Sequence, residues 1–103
     1  MTTTLIDDHR DQISELCRSF GVRRLDVFGS AVREDFDPAR SDVDFLVDFA
    51  DDEARDRFRD YFAFRDALAR VLGRPVDLVM ARALTNRYLG AAIDAERQLV
   101  YAA

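Results

Sequence analysis

Between Asp42 and Phe49 the chain alternates with a period of two: Val43, Phe45, Val47 and Phe49 are apolar, while Asp42, Asp44 and Asp48 are acidic, with Leu46 the exception. Such alternation predicts a strand whose one face is covered and whose other face is open. Val76–Met80 repeats it, with Val76, Leu78 and Met80 on one side and Asp77 on the other. Val22–Phe28 predicts a third strand, with Leu25 and Val27 on one face and Asp26 and Phe28 on the opposite one. The short apolar end Leu99-Val100-Tyr101 fits an edge strand.

Helical spacing fills the gaps. Ile6, Ile13, Leu16, Cys17 and Phe20 predict a helix from about Thr4 to Phe20, with Asp7 and Asp8 in the first turn and Gly21 as its stop. A short helix is expected over Ser30–Glu34, followed by a loop through Pro38 to Arg40. A long helix beginning within Asp51–Asp56 and running to about Leu72 carries Phe58, Tyr61, Phe62, Arg65, Leu68, Ala69 and Leu72, and Gly73 with Pro75 ends it. Phe64, Ala67 and Val71 widen its apolar face beyond what one side of a small sheet needs. Most of the stripe reads as core, and the Phe64 and Val71 side is the expected contact with another chain. A last helix, from about Leu84 to Ala95, carries Tyr88, Leu89, Ala92 and Ile93.

Length and composition narrow the class. One domain over residues 1–103 is expected, with 49% hydrophobic and 34% charged residues fitting a globular chain. No apolar run approaches the roughly 20 residues a membrane span needs, so no membrane association is expected. Met1-Thr2-Thr3-Thr4 shows no secretory pattern, and a cytoplasmic protein is expected. The single cysteine, Cys17, lies on the first helix's apolar stripe and reads as a buried structural thiol. His9 alone gives little scope for histidine chemistry. All 15 basic residues are arginines, yet the net charge is −5, which disfavours general nucleic-acid binding through counterion release.

The open acidic face carries the chemistry. Residues i and i+2 of a strand point the same way about 6.6 Å apart, so Asp42 and Asp44 lie side by side, and Asp77 joins them if its strand is a neighbour. Carboxylates gathered so closely repel one another unless a divalent cation supplies the opposing charge, and Mg²⁺, a hard cation that takes oxygen ligands, fits. Gly29-Ser30 at a strand-to-helix junction offers backbone N–H donors, a hydroxyl and a helix start to a phosphate, and Arg33 and Arg40 add positive charge. Gly-Ser alone marks a turn, and Asp-x-Asp alone an exposed strand. Their ordered combination points to metal-assisted phosphoryl-type chemistry, with one ion activating a hydroxyl and a second holding the triphosphate.

Val27-Phe28-Gly29-Ser30-Ala31-Val32-Arg33, then Ser41-Asp42-Val43-Asp44-Phe45-Leu46-Val47, then Arg74-Pro75-Val76-Asp77-Leu78-Val79 together resemble the minimal nucleotidyltransferase (MNT) antitoxin family of HEPN/MNT toxin-antitoxin modules, within the DNA polymerase β-like superfamily. The resemblance covers nearly the whole chain. It implies an α/β (α+β) fold, a small mixed sheet with helices on one face and the acidic active site on the other. It also implies Asp42 and Asp44 as metal ligands, Asp77 as a third carboxylate that binds metal or activates the attacking hydroxyl, and Gly29, Ser30, Arg33 and Ser41 as nucleotide-binding residues. Two Mg²⁺ ions as cofactors, ATP as substrate and a HEPN-domain toxin as partner follow from it, with AMP transferred to a tyrosine of that toxin. Many relatives carry glycine after the motif's arginine, where this chain has Glu34; an acid turned inward there would repel phosphate and bears on Arg33. Two alternatives stay open: an antitoxin acting by contact alone, and a transferase acting on a small molecule such as an antibiotic.

Overall fold

The structure, a computed structural model, describes residues 4–29, 32 and 42–103. In chain order these form α1 (Thr4–Asp8), α2 (Arg10–Ser19), β1 (Val22–Phe28), β2 (Val43–Phe49), α3 (Arg57–Leu72), β3 (Val76–Met80), a 3-10 turn (Ala81–Ala83), α4 (Arg87–Glu96) and β4 (Gln98–Ala102). The strands lie in the order β3-β2-β1-β4. β1 is antiparallel to both β2 and β4, whereas β2 and β3 run parallel, so the sheet is mixed as the sequence predicts. The final strand is an edge strand, also as expected.

Alternation along the strands decides which face is covered. Val43, Phe45, Val47 and Phe49 of β2 and Leu25 and Val27 of β1 are all buried, and they join Leu78, Val100, Ile6, Ile13, Cys17, Leu68 and Leu72 in one core. A register shift between Val22 and Arg24 lets Val22 face that core as well. α2 packs on β1, β4 and α3, and α3 packs on β3. The Tyr61 hydroxyl of α3 donates to Leu78 O at 2.6 Å, tying helix to edge strand.

Three boundaries differ from the sequence reading. The first predicted helix is divided at His9, whose backbone (φ −118°, ψ 14°) leaves the helical region while its ring meets Leu5 O at 2.9 Å. The long helix starts only at Arg57, because Asp56 caps it by accepting from Arg59 N–H and the Asp52 carboxylate holds a separate turn through Ala54 N–H. Its end agrees: Gly73 takes φ +65°, which closes the helix in the left-handed conformation. α4 starts at Arg87, capped by the Asn86 side chain, which accepts from Tyr88 and Leu89 N–H.

The expected partner surface on the long helix is corrected. Phe64 is fully buried, its ring 5.5 Å from Phe20 and 6.0 Å from Phe49, and Val71 packs against the core. The exposed aromatics of this helix are Phe58, at 76%, and Phe62, whose rings pack on each other at 5.0 Å. Aromatic residues lie all around this helix, so its composition offers two stripes. The sheet's Phe49 and the end of α2 select the one through Phe64, Leu68 and Leu72.

Phe64→Ala is expected to cost about 3–5 kcal/mol in urea unfolding, whereas Phe58→Ala should stay within about 1 kcal/mol. Burial pushes the Cys17 thiol up from 9.0 to about 12, against a small opposing pull from Arg18. Below pH 9 the thiol is neutral in both states; above it the unfolded chain releases this proton first. The stability associated with the neutral buried thiol should therefore be lost as pH rises from 9 towards 12, by up to about 1.4 kcal/mol per pH unit, a slope that Cys17→Ala should lack.

Candidate active site

β1 ends at Phe28, and Gly29 follows it with φ +74°, a conformation that favours glycine. The turn closes with Val32 N–H donating to Gly29 O at 3.1 Å. Phe28 lies opposite Asp44 of β2, so the Gly29 turn sits beside that carboxylate. A Cβ placed on Gly29 would overlap Asp44 Oδ2 and lie 3.2 Å from Asp44 Cγ. The glycine therefore answers two demands at once, its own dihedral and the room for a neighbouring acid.

The parallel pairing of β2 with β3 puts Asp44 in register with Asp77. Neighbouring strands lie about 4.8 Å apart, and residues in register in a parallel pair point to the same face. Both acids are on the face opposite the helical core, Asp44 half-buried and Asp77 exposed. Asp42 stands exposed at the entry to β2, where Val43 N–H donates to Pro75 O at 3.0 Å and so fixes the start of the pair. Gly29, Asp42, Asp44 and Asp77 are thus gathered at one end of the sheet. Ser30, Arg33 and Ser41, with Glu34 and Arg40, lie outside the described residues.

Asp48, on the same face of β2, lies about 13 Å along the strand from Asp44. Arg23 Nε donates to its Oδ2 at 3.0 Å and Arg82 Nε is 3.8 Å from its Oδ1. That end of the acidic face is neutralised by arginines. Asp26 is also held this way: its side chain is only 2% exposed, with Arg24 Nε 2.8 Å from Oδ1 and Arg97 Nε 3.3 Å from Oδ2. The bond to Asp26 and its charge hold the Arg24 guanidinium above its ordinary pKa.

Among the described residues, which include Asp42, Asp44 and Asp77, no three acids are grouped so as to hold a metal ion. Asp44 and Asp77 nevertheless offer hard oxygen donors from adjacent strands, and the bare Gly29 leaves space at the carboxylate. This suits a cation such as Mg²⁺, which uses one or two protein carboxylates and takes its other ligands from phosphate and water.

Residues 9–100 match the nucleotidyltransferase domain family. The chain belongs to that family. This nucleotidyltransferase is 41% identical, over 84% of its length and 81% of the relative's, to the protein adenylyltransferase MntA of Thermococcus cleftensis. Among solved structures it resembles one assigned provisionally as a minimal nucleotidyltransferase, with TM-score 0.76, 33% identity and 95% of each chain covered. It shares its fold, at TM-score 0.67 and 21% identity over 95% of this chain and 73% of the other, with a chain of a Shewanella oneidensis complex between a tri-AMPylated HEPN toxin and its MNT antitoxin.

Two residues at the end of α4 were not visible from sequence. Glu96 Oε1 accepts from Gly29 N–H at 3.0 Å, and Arg97 reaches buried Asp26. Only the pairing of β1 with β4, remote in sequence, brings them there.

Gly29→Ala is expected to lower the melting temperature and to reduce nucleotidyl transfer, since the left-handed backbone alone costs about 1–2 kcal/mol. Adding Asp44→Ala should relieve the overlap, giving a stability coupling of about 0.5–3 kcal/mol in a double-mutant cycle. Additive effects on stability would show that the two residues do not press on each other.

Proposed function

We propose that this nucleotidyltransferase is an Mg²⁺-dependent antitoxin that transfers AMP from ATP to a tyrosine hydroxyl of a HEPN-domain toxin and so silences it. The observation that carries this reading is the in-register pair Asp44 and Asp77 beside the Gly29 turn, with Asp42 at the entry to β2. The relatives support the acceptor class: one is named a protein adenylyltransferase, and a chain of the same fold accompanies an AMPylated HEPN toxin. A hetero-oligomer with the toxin follows from the reading, because the acceptor is itself a protein.

In this scheme the Gly29-Ser30 turn receives the triphosphate, Gly29 through its missing side chain rather than its N–H, which Glu96 engages, with Arg33 and Ser41 completing the nucleotide contacts. Asp42 and Asp44 would hold the metal, and Asp77 would share it or take the proton of the acceptor hydroxyl. The tyrosine oxygen bonds to the α-phosphorus, the bond between that phosphorus and the bridging oxygen to the β-phosphate breaks, and pyrophosphate leaves. The hydroxyl proton passes to water, through Asp77 where that carboxylate is not taken up by the metal. Bound Mg²⁺ supplies the positive charge that offsets the carboxylates, favours ionisation of the hydroxyl and stabilises the leaving pyrophosphate.

The test is incubation of the chain and its genomic-neighbour protein with Mg²⁺ and each labelled nucleoside triphosphate, followed by intact mass of both. A gain of whole AMP units on the neighbour is expected. It should be lost in Asp42→Ala/Asp44→Ala, fall by at least about 100-fold in Asp77→Ala and stop with EDTA. Neutralisation of the toxin by the triple aspartate variant, with no mass gain, would instead mean inhibition by contact alone.

A further inference from the structure

The bond between Glu96 and Gly29 lies in the line of the strand pairing. Val27 of β1 is opposite Gln98 of β4, and continuing that line two residues along each chain leads to Gly29 and to Glu96, the last residue of α4. There the backbone ladder has ended, and the Glu96 carboxylate supplies the acceptor instead, at 3.0 Å. The next residue, Arg97, reaches Asp26 two positions before Phe28 on the same strand. Consecutive side chains at the end of α4 thus hold the last stretch of β1, one through a buried charge and one through the main chain. Gly29 is bracketed, with Glu96 on its β4 side and Asp44 on its β2 side.

We infer that Glu96 is a positioning residue for nucleotidyl transfer: by binding the Gly29 amide it fixes the turn, and through the turn's close contact it fixes the Asp44 carboxylate. This rests on the proposed function, which assigns Asp44 to the metal. A carboxylate accepting from a backbone amide makes a charge-assisted bond, stronger than a neutral one. The opposing idea is that Glu96 mimics phosphate and competes with nucleotide for the amide. The geometry favours positioning, because this N–H points across the sheet towards β4, away from the strand that bears Asp44.

The test compares Glu96→Ala and Glu96→Gln in the full chain. Hydrogen exchange at the Gly29 amide, the carboxyl ¹³C shift of Asp44, ATP affinity by calorimetry, and kcat and KM with the partner protein are measured. In Glu96→Ala the Gly29 amide should exchange about tenfold faster. The Asp44 signal should move, and kcat should fall by about 10- to 100-fold, as expected when a reacting group is misplaced. Glu96→Gln, whose amide oxygen accepts the same bond, should restore kcat to within about threefold. Tighter ATP binding in Glu96→Ala would show competition with phosphate and overturn the inference. So would faster Gly29 exchange with an unmoved Asp44 signal and unchanged kcat, or unchanged exchange. A wild-type chain that transfers no nucleotide would instead overturn the functional reading, leaving the exchange and the Asp44 shift to decide the positioning.

Discussion

Everything at the acidic end of the sheet depends on one steric allowance: a hydrogen atom, rather than a side chain, stands at Gly29 where the Asp44 carboxylate comes close. The left-handed backbone at Gly29 turns the chain at the end of β1, and the missing Cβ admits an acid from the adjacent strand. Moving either group displaces the other. Packing, backbone conformation and chemistry meet there in a single residue, which ties a Gly-Ser turn and an Asp-x-Asp strand to each other across some fifteen positions of sequence.

Much of this was legible beforehand because the main apolar core lies on one face of the sheet. Period-two alternation in β1, β2 and β3 encodes that asymmetry directly, and it placed Asp44 and Asp77 on the open side. Helix phase was less legible. In α3 the aromatic residues surround the axis, and the choice of Phe64 over Phe58 is made by Phe20 and Phe49, which belong to other elements. The bonds of Glu96 and Arg97 escaped detection for a related reason. They exist only once β4 pairs with β1, and no local pattern announces the pairing of segments some seventy residues apart.

Charge along the sheet is placed by the elements that pack beside it. Asp26 and Asp48 have arginine partners. These pairs offset the cost of placing acids in or near the sheet. At the other end, Asp44 and Asp77 share a register across β2 and β3. Which arginine an aspartate meets is decided by the elements that pass nearby. A count of aspartates could not show this, but the positions of Arg23, Arg24 and Arg97 do.

The sheet order also ranks the carboxylates by how firmly they are moored. Asp44 belongs to a strand with neighbours on both sides, whereas Asp77 belongs to β3, an outer strand paired on one side and latched to the helical layer by the Tyr61 hydroxyl. Outer strands open at lower free energy than central ones. Breathing of β3 would therefore carry Asp77 away from Asp44 while the core stayed folded. The acidic cluster is held together by its weakest strand, and anything that grips both carboxylates would in turn clamp that strand shut.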